Sequence, residues 1–594
     1  MVRRLSLWIL VFVVALCGRA GAIEVKEKFL FYQDSLDTSA GVDKFISTAE
    51  AAKKVGYTHI LLDDVYLQLA PFMPQSYLDN TARARKAAAD IGIVVVPNIF
   101  NVGYSWRVLY YDSNLAEGIP VRDARFVVKS GVATPDPAEV PKIVNPGFEG
   151  KPGELVAGWA PDEFSAPCVS LDAETKHSGA SALKMTAFEK MGGKRSERDE
   201  GGCYVTQTVP CEPFKYYRLT IWRKTRSAKA AGSSVIVTSG NGNRRLCYSQ
   251  FEAEPGADWN DFVAPDSDWR EFQLSFNTLE SDTLTIGVGV EGPKEGTVWW
   301  DDLKVEPAGL ANVLRRDLVP LVVRSADGKV TYTEGKDFEP VVDPKLGMAP
   351  MPDWLSALPH PGGSYDIWHE GPAIKLTEKS AIKDGDTLLV SFYHPHIIYS
   401  HQVNGSIEDP KVFEIFDTQM KWAKKLWDAP AYMLGYDEIR AGGWEKQPGG
   451  ATLTPAQLLA GHISRAYGIV MKYSPNAKVY VWSDMFDEFH NARDRQGKPY
   501  YLVNGDWYGS WEGLPKEMRI VKWGGARPEG IRFFTDRGNE VLFSGGDARA
   551  VDRYLTAAEG APGILGFMFT NWQKDYSGME AYSKAIDEWK PPAK

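Results

Sequence analysis

Residues 431–438, AYMLGYDE, form a short apolar run closed by Gly435 and Tyr436 and ending in two adjacent carboxylates, Asp437 and Glu438. The stretch continues as IRAGGW (439–444), a glycine-containing loop that makes a poor helix start. Acidic residues favour the first turn of a helix, so capping is the plain alternative for this pair. A buried strand running into an irregular loop fits the residues better, and its C-terminal end is then the position that matters.

The surroundings repeat that design. Upstream, KFLFYQD, HILLDD and IVVVPNI alternate with VDKFISTAEAAKKVG and NTARARKAAADIG, which have helical spacing and a glycine stop. Downstream, KVYVWSDMF, RIVKWGG, EVLFSGG and ILGFMFTNW are separated by helical stretches such as TPAQLLAGHISRAYGIVMKYSP, with Thr454 as N-cap and Pro455 at the first helical position. Short apolar runs between amphipathic helices indicate parallel strands buried on both faces. Three strands before and five after, counting AYMLGYDE, give the eight of a (β/α)8 TIM barrel. An open doubly wound sheet is the competing α/β architecture.

Between the halves the period changes to two: CYVTQTV, YYRLTIWRK, SSVIVTS, EFQLSFN, TLTIGVGV and TVWWDDLKVE. This alternation with intervening turns predicts an inserted antiparallel, jelly-roll-like β-sandwich. The expected division is an export signal over 1–22, barrel over 23–110, sandwich over 140–308, linker and irregular barrel loops over 309–385, and barrel again over 386–594. The strand-like run at 386–396 reads as part of a loop. GVGVEG (287–292) matches a dinucleotide fingerprint but lies in a sandwich strand and opens no helix, so it is rejected.

The chain has 594 residues, 44% of them apolar, with a net charge of −10, nineteen Trp and twenty-six Tyr. The acidic balance argues against nucleic acid or an anionic membrane as partner. Arg3 and Arg4, the run LSLWILVFVVAL and Ala20-Gly21-Ala22 read as an export signal cleaved near Ala22, which implies a secreted or periplasmic protein. Cys17 also invites a lipoprotein reading. No later segment suggests a membrane span. The four remaining cysteines, Cys168, Cys203, Cys211 and Cys247, lie in the sandwich region and suggest disulfides, with buried thiols as the alternative. No metal or cofactor is expected at the barrel site. His394, His396 and His401 cluster without the spacing of a metal centre, so sugar contacts or loop packing are expected there.

Barrel active sites sit at the C-terminal ends of the strands. Those ends carry Gln33, Asp34, Asp63, Asp64, Asn98, Asn101, Asp437, Glu438, Trp482, Asp484, Trp523, Asp547, Asn571 and Trp572. Carboxylates among tryptophans suit glycoside cleavage, which needs a carboxylic acid to protonate the leaving oxygen and an anion beside the oxocarbenium-like carbon. Tryptophans give flat faces for sugar rings and keep water out. Asp437 and Glu438 are the catalytic candidates. Asp34, Asp64, Asn98, Tyr104, Tyr436, Trp482, Asp484, Trp523 and Trp572 are the substrate-binding ones, for an oligo- or polysaccharide.

HILLDD, GIVVVPNIFNVGY and EDPKVFEIFDTQMKWAKKLWDAPAYMLGYDE resemble the second to fourth strand segments of family 20 glycoside hydrolases, the β-N-acetylhexosaminidases. That resemblance implies substrate-assisted retaining hydrolysis of 2-acetamido sugars, with Glu438 as general acid/base and Asp437 orienting the acetamido group. The chain departs from the family where Asn98, Phe100 and Tyr104 replace Glu, Asp and His, where Met433 replaces a His, and where Trp572-Gln573-Lys574 replaces Trp-x-Glu. NPGFEG (145–150), HSGASALKM (177–185) and VWWDDLKVE (298–306) are similar to carbohydrate-binding modules of the family 4/9 type. This second resemblance implies a sugar platform, with Trp222, Trp259 and Trp299 as candidates, and a structural calcium near Glu149 and Asp302. Two further readings stay open. One is a hydrolase using Glu438 with a second enzyme carboxylate (Asp63, Asp484 or Glu488). The other is a non-catalytic polysaccharide-binding protein with a defunct barrel.

Overall fold

The structure, a computed structural model, describes residues 23, 25–152, 154–191, 201–247, 263–350, 358–399 and 402–589. The expected export signal, Trp259 and His401 lie outside them.

Eight parallel strands close into a barrel in chain order. They are β1 (Glu27–Asp34), β2 (His59–Asp64), β3 (Val94–Ile99), β4 (Ala431–Leu434), β5 (Lys478–Trp482), β6 (Arg519–Lys522), β7 (Val541–Gly545) and β8 (Ile564–Phe569). Alternation sorts each strand's side chains between two cores. Phe29, Phe31, Leu61, Val96, Met433, Tyr480, Trp482, Val521, Leu542 and Met568 fill the barrel interior. Leu30, Tyr32, Leu62, Ile99, Tyr432, Leu434 and Val481 face the helices. Burial on both faces explains why these strands are continuously apolar in sequence.

The helices of eight or more residues are α1 (Ser39–Lys54), α2 (Gln75–Ile91), α3 (Lys411–Trp427), α4 (Pro455–Tyr473), α5 (Pro528–Thr535), α6 (Ala548–Ala557) and α7 (Met579–Glu588). Helix α4 starts as expected: Thr454 accepts from Gln457 N, Gln457 caps in return, and Pro455 occupies the first turn. Residues 483–518, between β5 and β6, contain 3-10 turns and no α-helix. The barrel is therefore closed but lacks one helix of a regular (β/α)8 repeat, and this long loop hangs over the strand ends.

The excursion between β3 and α3 holds two antiparallel units. In the sandwich, the long strands Tyr216–Ser239 and Thr283–Pro307 pair over nearly their whole length, with register breaks near Arg226–Ala230. One half of Thr283–Pro307 also pairs with Gly202–Pro210 and the other with Ala182–Thr186, so one sheet folds over a single core that contains Leu183, Val205, Leu219, Ile286 and Trp300. GVGVEG lies inside Thr283–Pro307, as expected.

The expectation of linker and loops over 309–385 is corrected. Val322–Ser325, Thr331–Tyr332, Ile374–Lys375 and Thr387–Pro395 join Gly118–Lys129 and Val132–Pro135 in a six-stranded sheet with its own core. The run at 386–396 belongs to this sheet. The sandwich is nested within it, leaving after Pro135 and returning before Val322. Short strands far apart in sequence left too weak a periodic signal to pair by inspection.

Candidate active site

Strand β4 stops at Leu434, and the next residues lock against β3. Gly435 N donates to Ile99 O at 3.0 Å and Gly435 O accepts from Val102 N at 2.9 Å. A side chain at Gly103 would place Cβ 1.9 Å from Asp437 O, so only glycine allows these segments to approach. Glu438 has φ of +48°, left-handed for a residue with a Cβ. Its N–H donates to Asp484 Oδ2 at 2.9 Å. This turn takes Asp437 and Glu438 out of strand alternation, so neighbours that would face opposite ways can serve one pocket.

The two carboxylates have different surroundings. Glu438 Oε2 accepts from the Tyr104 phenol at 2.5 Å and from Arg440 Nη2 at 2.9 Å, while the side chain stays 26% exposed. Arg440 is held by a backbone bond to Asn404 Oδ1 at 3.1 Å, and its guanidinium lies 5.2 Å from the Tyr501 ring centre. Burial, and then Glu438, push the Tyr104 hydroxyl above its ordinary range, which keeps it a donor. Asp437 has no such pairing. Burial, then the charges of Asp484, Glu438 and Asp63, push its carboxyl well above the ordinary range, so it retains a proton where free aspartate has lost one.

Asp484 is fully buried and binds three donors: Glu438 N, Asn491 Nδ2 at 3.0 Å and Trp523 Nε1 at 3.1 Å. Burial raises its pKa to about 6. Both of its oxygens hold positioning bonds. Asp63 is similarly engaged, accepting from Asn98 Nδ2 (3.0 Å) and Gln33 Nε2 (3.2 Å), with Arg107 Nη2 at 3.3 Å. Asn98 Oδ1 is buried without a hydrogen-bond partner.

Trp482 is buried in the barrel interior, 6.3 Å from Trp572 between ring centres. Trp572 is 57% exposed and stands edge-on to Phe31 at 4.8 Å. Trp523 is half-buried against His490, their ring centres 4.7 Å apart. His490, which the sequence reading missed, is held neutral by burial and then by Lys522, its pKa lowered to about 4, and its Nδ1 lacks a partner. Arg440, Asn404 and Asn491 were also missed, because each lies in loop sequence with no periodic signal.

Three expected site residues point elsewhere. Asp34 continues the outward face of β1 and pairs with Lys44 at 2.6 Å and Lys574 at 3.5 Å. Asp64, outward on β2, accepts from Tyr77 at 2.6 Å and from Tyr66 N at 3.1 Å. Tyr436 is buried against α4, its hydroxyl 2.6 Å from His462 Nδ1. Asp547 caps α6, and Asn571 closes a turn onto Gln573 N.

In the sandwich, Glu149 accepts from Ala180 N and Ser181 N, and Asp302 binds His177 Nδ1 and Ser178 Oγ. These carboxylates hold the 177–181 loop by hydrogen bonds. Trp299 is buried, and the half-buried Trp222 is covered by the stacked ring of His177 at 3.9 Å. The expected disulfides do not form: the cysteines are thiols. Cys168 Sγ donates to Ala187 O and Cys211 Sγ to Ser281 O, both at 3.2 Å. His394 stacks on Tyr216 at 3.6 Å, deep in the packing between sheets and away from the strand ends. No described helix is long and apolar enough to cross a membrane.

No known family matches the sequence, and neither does any curated protein. Several solved structures overlap parts of it. A CBM61 module in complex with β-1,4-galactotriose is 19% identical over 27% of this chain and 95% of its own, with a TM-score of 0.19. The chitobiase FjGH20 of Flavobacterium johnsoniae is 14% identical over 31% of this chain and 30% of its own, with a TM-score of 0.23. A rhamnosidase from Novosphingobium sp. PP1Y spans 92% of this chain and 55% of its own at 10% identity, with a TM-score of 0.28. Overlaps of this size assign the chain to no family.

Proposed function

We propose that the chain is a glycoside hydrolase acting at the strand ends of its barrel on 2-acetamido sugars. The observation that carries this reading is the left-handed turn at Glu438, which ends β4 with two neighbouring carboxylates of different electrostatic surroundings, tied through Glu438 N to the Asp484 that Trp523 also binds. Glu438 is the general acid/base: it delivers a proton to the glycosidic oxygen as the C1–O bond breaks and later takes one from the attacking water. Asp437 orients the substrate's acetamido group, whose carbonyl oxygen closes on C1 to give an oxazolinium ion that water then opens. Tyr104 and Arg440 position Glu438 by donating to one of its oxygens, leaving the other for the substrate.

A second reading exchanges the two roles. It is favoured by the proton that Asp437 retains and by the Arg440 ion pair on Glu438. Leaving-group dependence separates them, because an activated aryl leaving group needs no acid. Under the first reading, Glu438→Gln loses about 10²–10⁴-fold on an alkyl N-acetyl-β-glucosaminide and far less on the dinitrophenyl glycoside. That pattern in Asp437→Asn instead assigns the acid to Asp437. Turnover only of sugars without an acetamido group overturns substrate assistance.

A further inference from the structure

Away from the mouth, a buried acidic knot joins the barrel to the six-stranded sheet. Glu117, Glu408 and Glu445 are 1%, 6% and 6% exposed, and an oxygen from each lies within 4.8 Å of the others. Glu117 leads into strand Gly118–Lys129, Glu408 precedes α3, and Glu445 ends the loop that begins at the catalytic pair. Most charge here is matched. Arg316 Nη1 reaches Glu445 Oε2 at 2.7 Å and Asp409 Oδ2 at 3.2 Å, and its Nη2 pairs with Glu445 Oε1. Glu445 also takes Gly118 N at 2.7 Å and Ser406 Oγ at 2.8 Å, and Asp409 caps α3 through Lys411 N at 2.9 Å.

Two carboxyls remain. Glu117 Oε2 accepts from Ile407 N at 3.3 Å, and Glu408 Oε1 accepts from Gly443 N at 3.0 Å. No donor reaches Glu117 Oε1 or Glu408 Oε2. Two buried carboxylates side by side with bare oxygens are strongly unfavourable, and one proton between them removes the repulsion and satisfies both.

We propose that Glu117 and Glu408 share a single proton and form a pH-sensitive latch that holds residues 438–445 against the rest of the molecule. Glu408 grips Gly443 N, and Glu445 anchors the same loop through Arg316. Ionising the pair adds a negative charge facing Glu445, with Arg316 the neighbouring cation, which Asp409 shares, while Tyr393 and Arg122 lie on the far side of Glu445. Burial, then the adjacent carboxylates, raise both groups, Glu408 to about 8. The sign follows: an acid raised on folding stabilises below its unfolded value, and that stability is lost as pH rises through the folded one. The window runs from about 4.3 upward to about 8.

Hydrogen exchange and thermal melting test the latch, on full-length wild type, Glu117→Gln and Glu408→Gln at pH 6, 7.5 and 9 in EDTA. Each glutamine amide supplies the missing hydrogen permanently. In wild type, exchange at 438–447, corrected for intrinsic rates, should accelerate at least about tenfold between pH 6 and 9, equivalent to at least about 1.4 kcal/mol. In the variants it should stay flat, and their melting temperature should gain on wild type as pH rises. Identical pH profiles in wild type and variants overturn the proposal. So does a calcium-dependent rise in melting temperature at pH 7.5 that Glu117→Gln abolishes, because the pair would then hold a cation. If neither variant folds, a flat wild-type exchange profile overturns it alone.

Discussion

Glu438 is held in a left-handed backbone conformation at the end of β4. A left-handed conformation at a residue with a Cβ costs about 1–3 kcal/mol and persists only where the surroundings impose it. Asp484 supplies that imposition, binding Glu438 N on one oxygen and the Trp523 indole on the other. Asp484→Ala should therefore lower kcat by about 10²-fold, the cost of misplacing a reacting group, with KM changed far less. A loss confined to melting temperature, with kcat intact, would make Asp484 a merely structural residue. The outward roles of Asp34 and Asp64 were decidable from sequence by parity. Phe31 and Leu61 face inward, so Gln33 and Asp63 continue that face and their acidic neighbours do not. The ion pairs that engage Asp34 come from Lys44 and Lys574, and the second of these is far off in sequence.

At the scale of elements, the approach of the β3 and β4 extensions depends on Gly103. Gly103→Ala forces Cβ onto Asp437 O, and overpacking of this kind costs about 1–3 kcal/mol. It should lower both stability and activity. Thr454→Ala removes the exposed α4 cap and should cost about 1 kcal/mol in urea denaturation while leaving kcat/KM unchanged. Equal losses of activity in the two variants would show that the mouth simply reports global stability. The barrel strands and α4 were legible because double burial and capping each leave a local signature. The loop at 483–518 was not, since it replaces a helix with turns whose partners, such as Glu438 N and Trp523, lie on other loops.

Across the whole molecule, the closed barrel and the sandwich were readable from a change of period, while the second sheet was not. Only two short hairpins in it are local, 118–135 and 322–332, and the pairings that join them into one sheet link strands far apart in sequence. That sheet and the Arg316 knot fix where the loop after Glu438 is anchored, which makes the mouth a product of distant segments. The central claim is that Asp437 and Glu438 cleave glycosides there. The most direct measurement is release of reducing sugar from a panel of methyl glycosides, including β-GlcNAc and β-GalNAc, by wild type, Glu438→Gln and Asp437→Asn. The expected result is turnover of an acetamido sugar by wild type and a loss of at least about 10²-fold in both variants, with folding intact. Turnover that survives both substitutions, or none by wild type on any glycoside, contradicts the account.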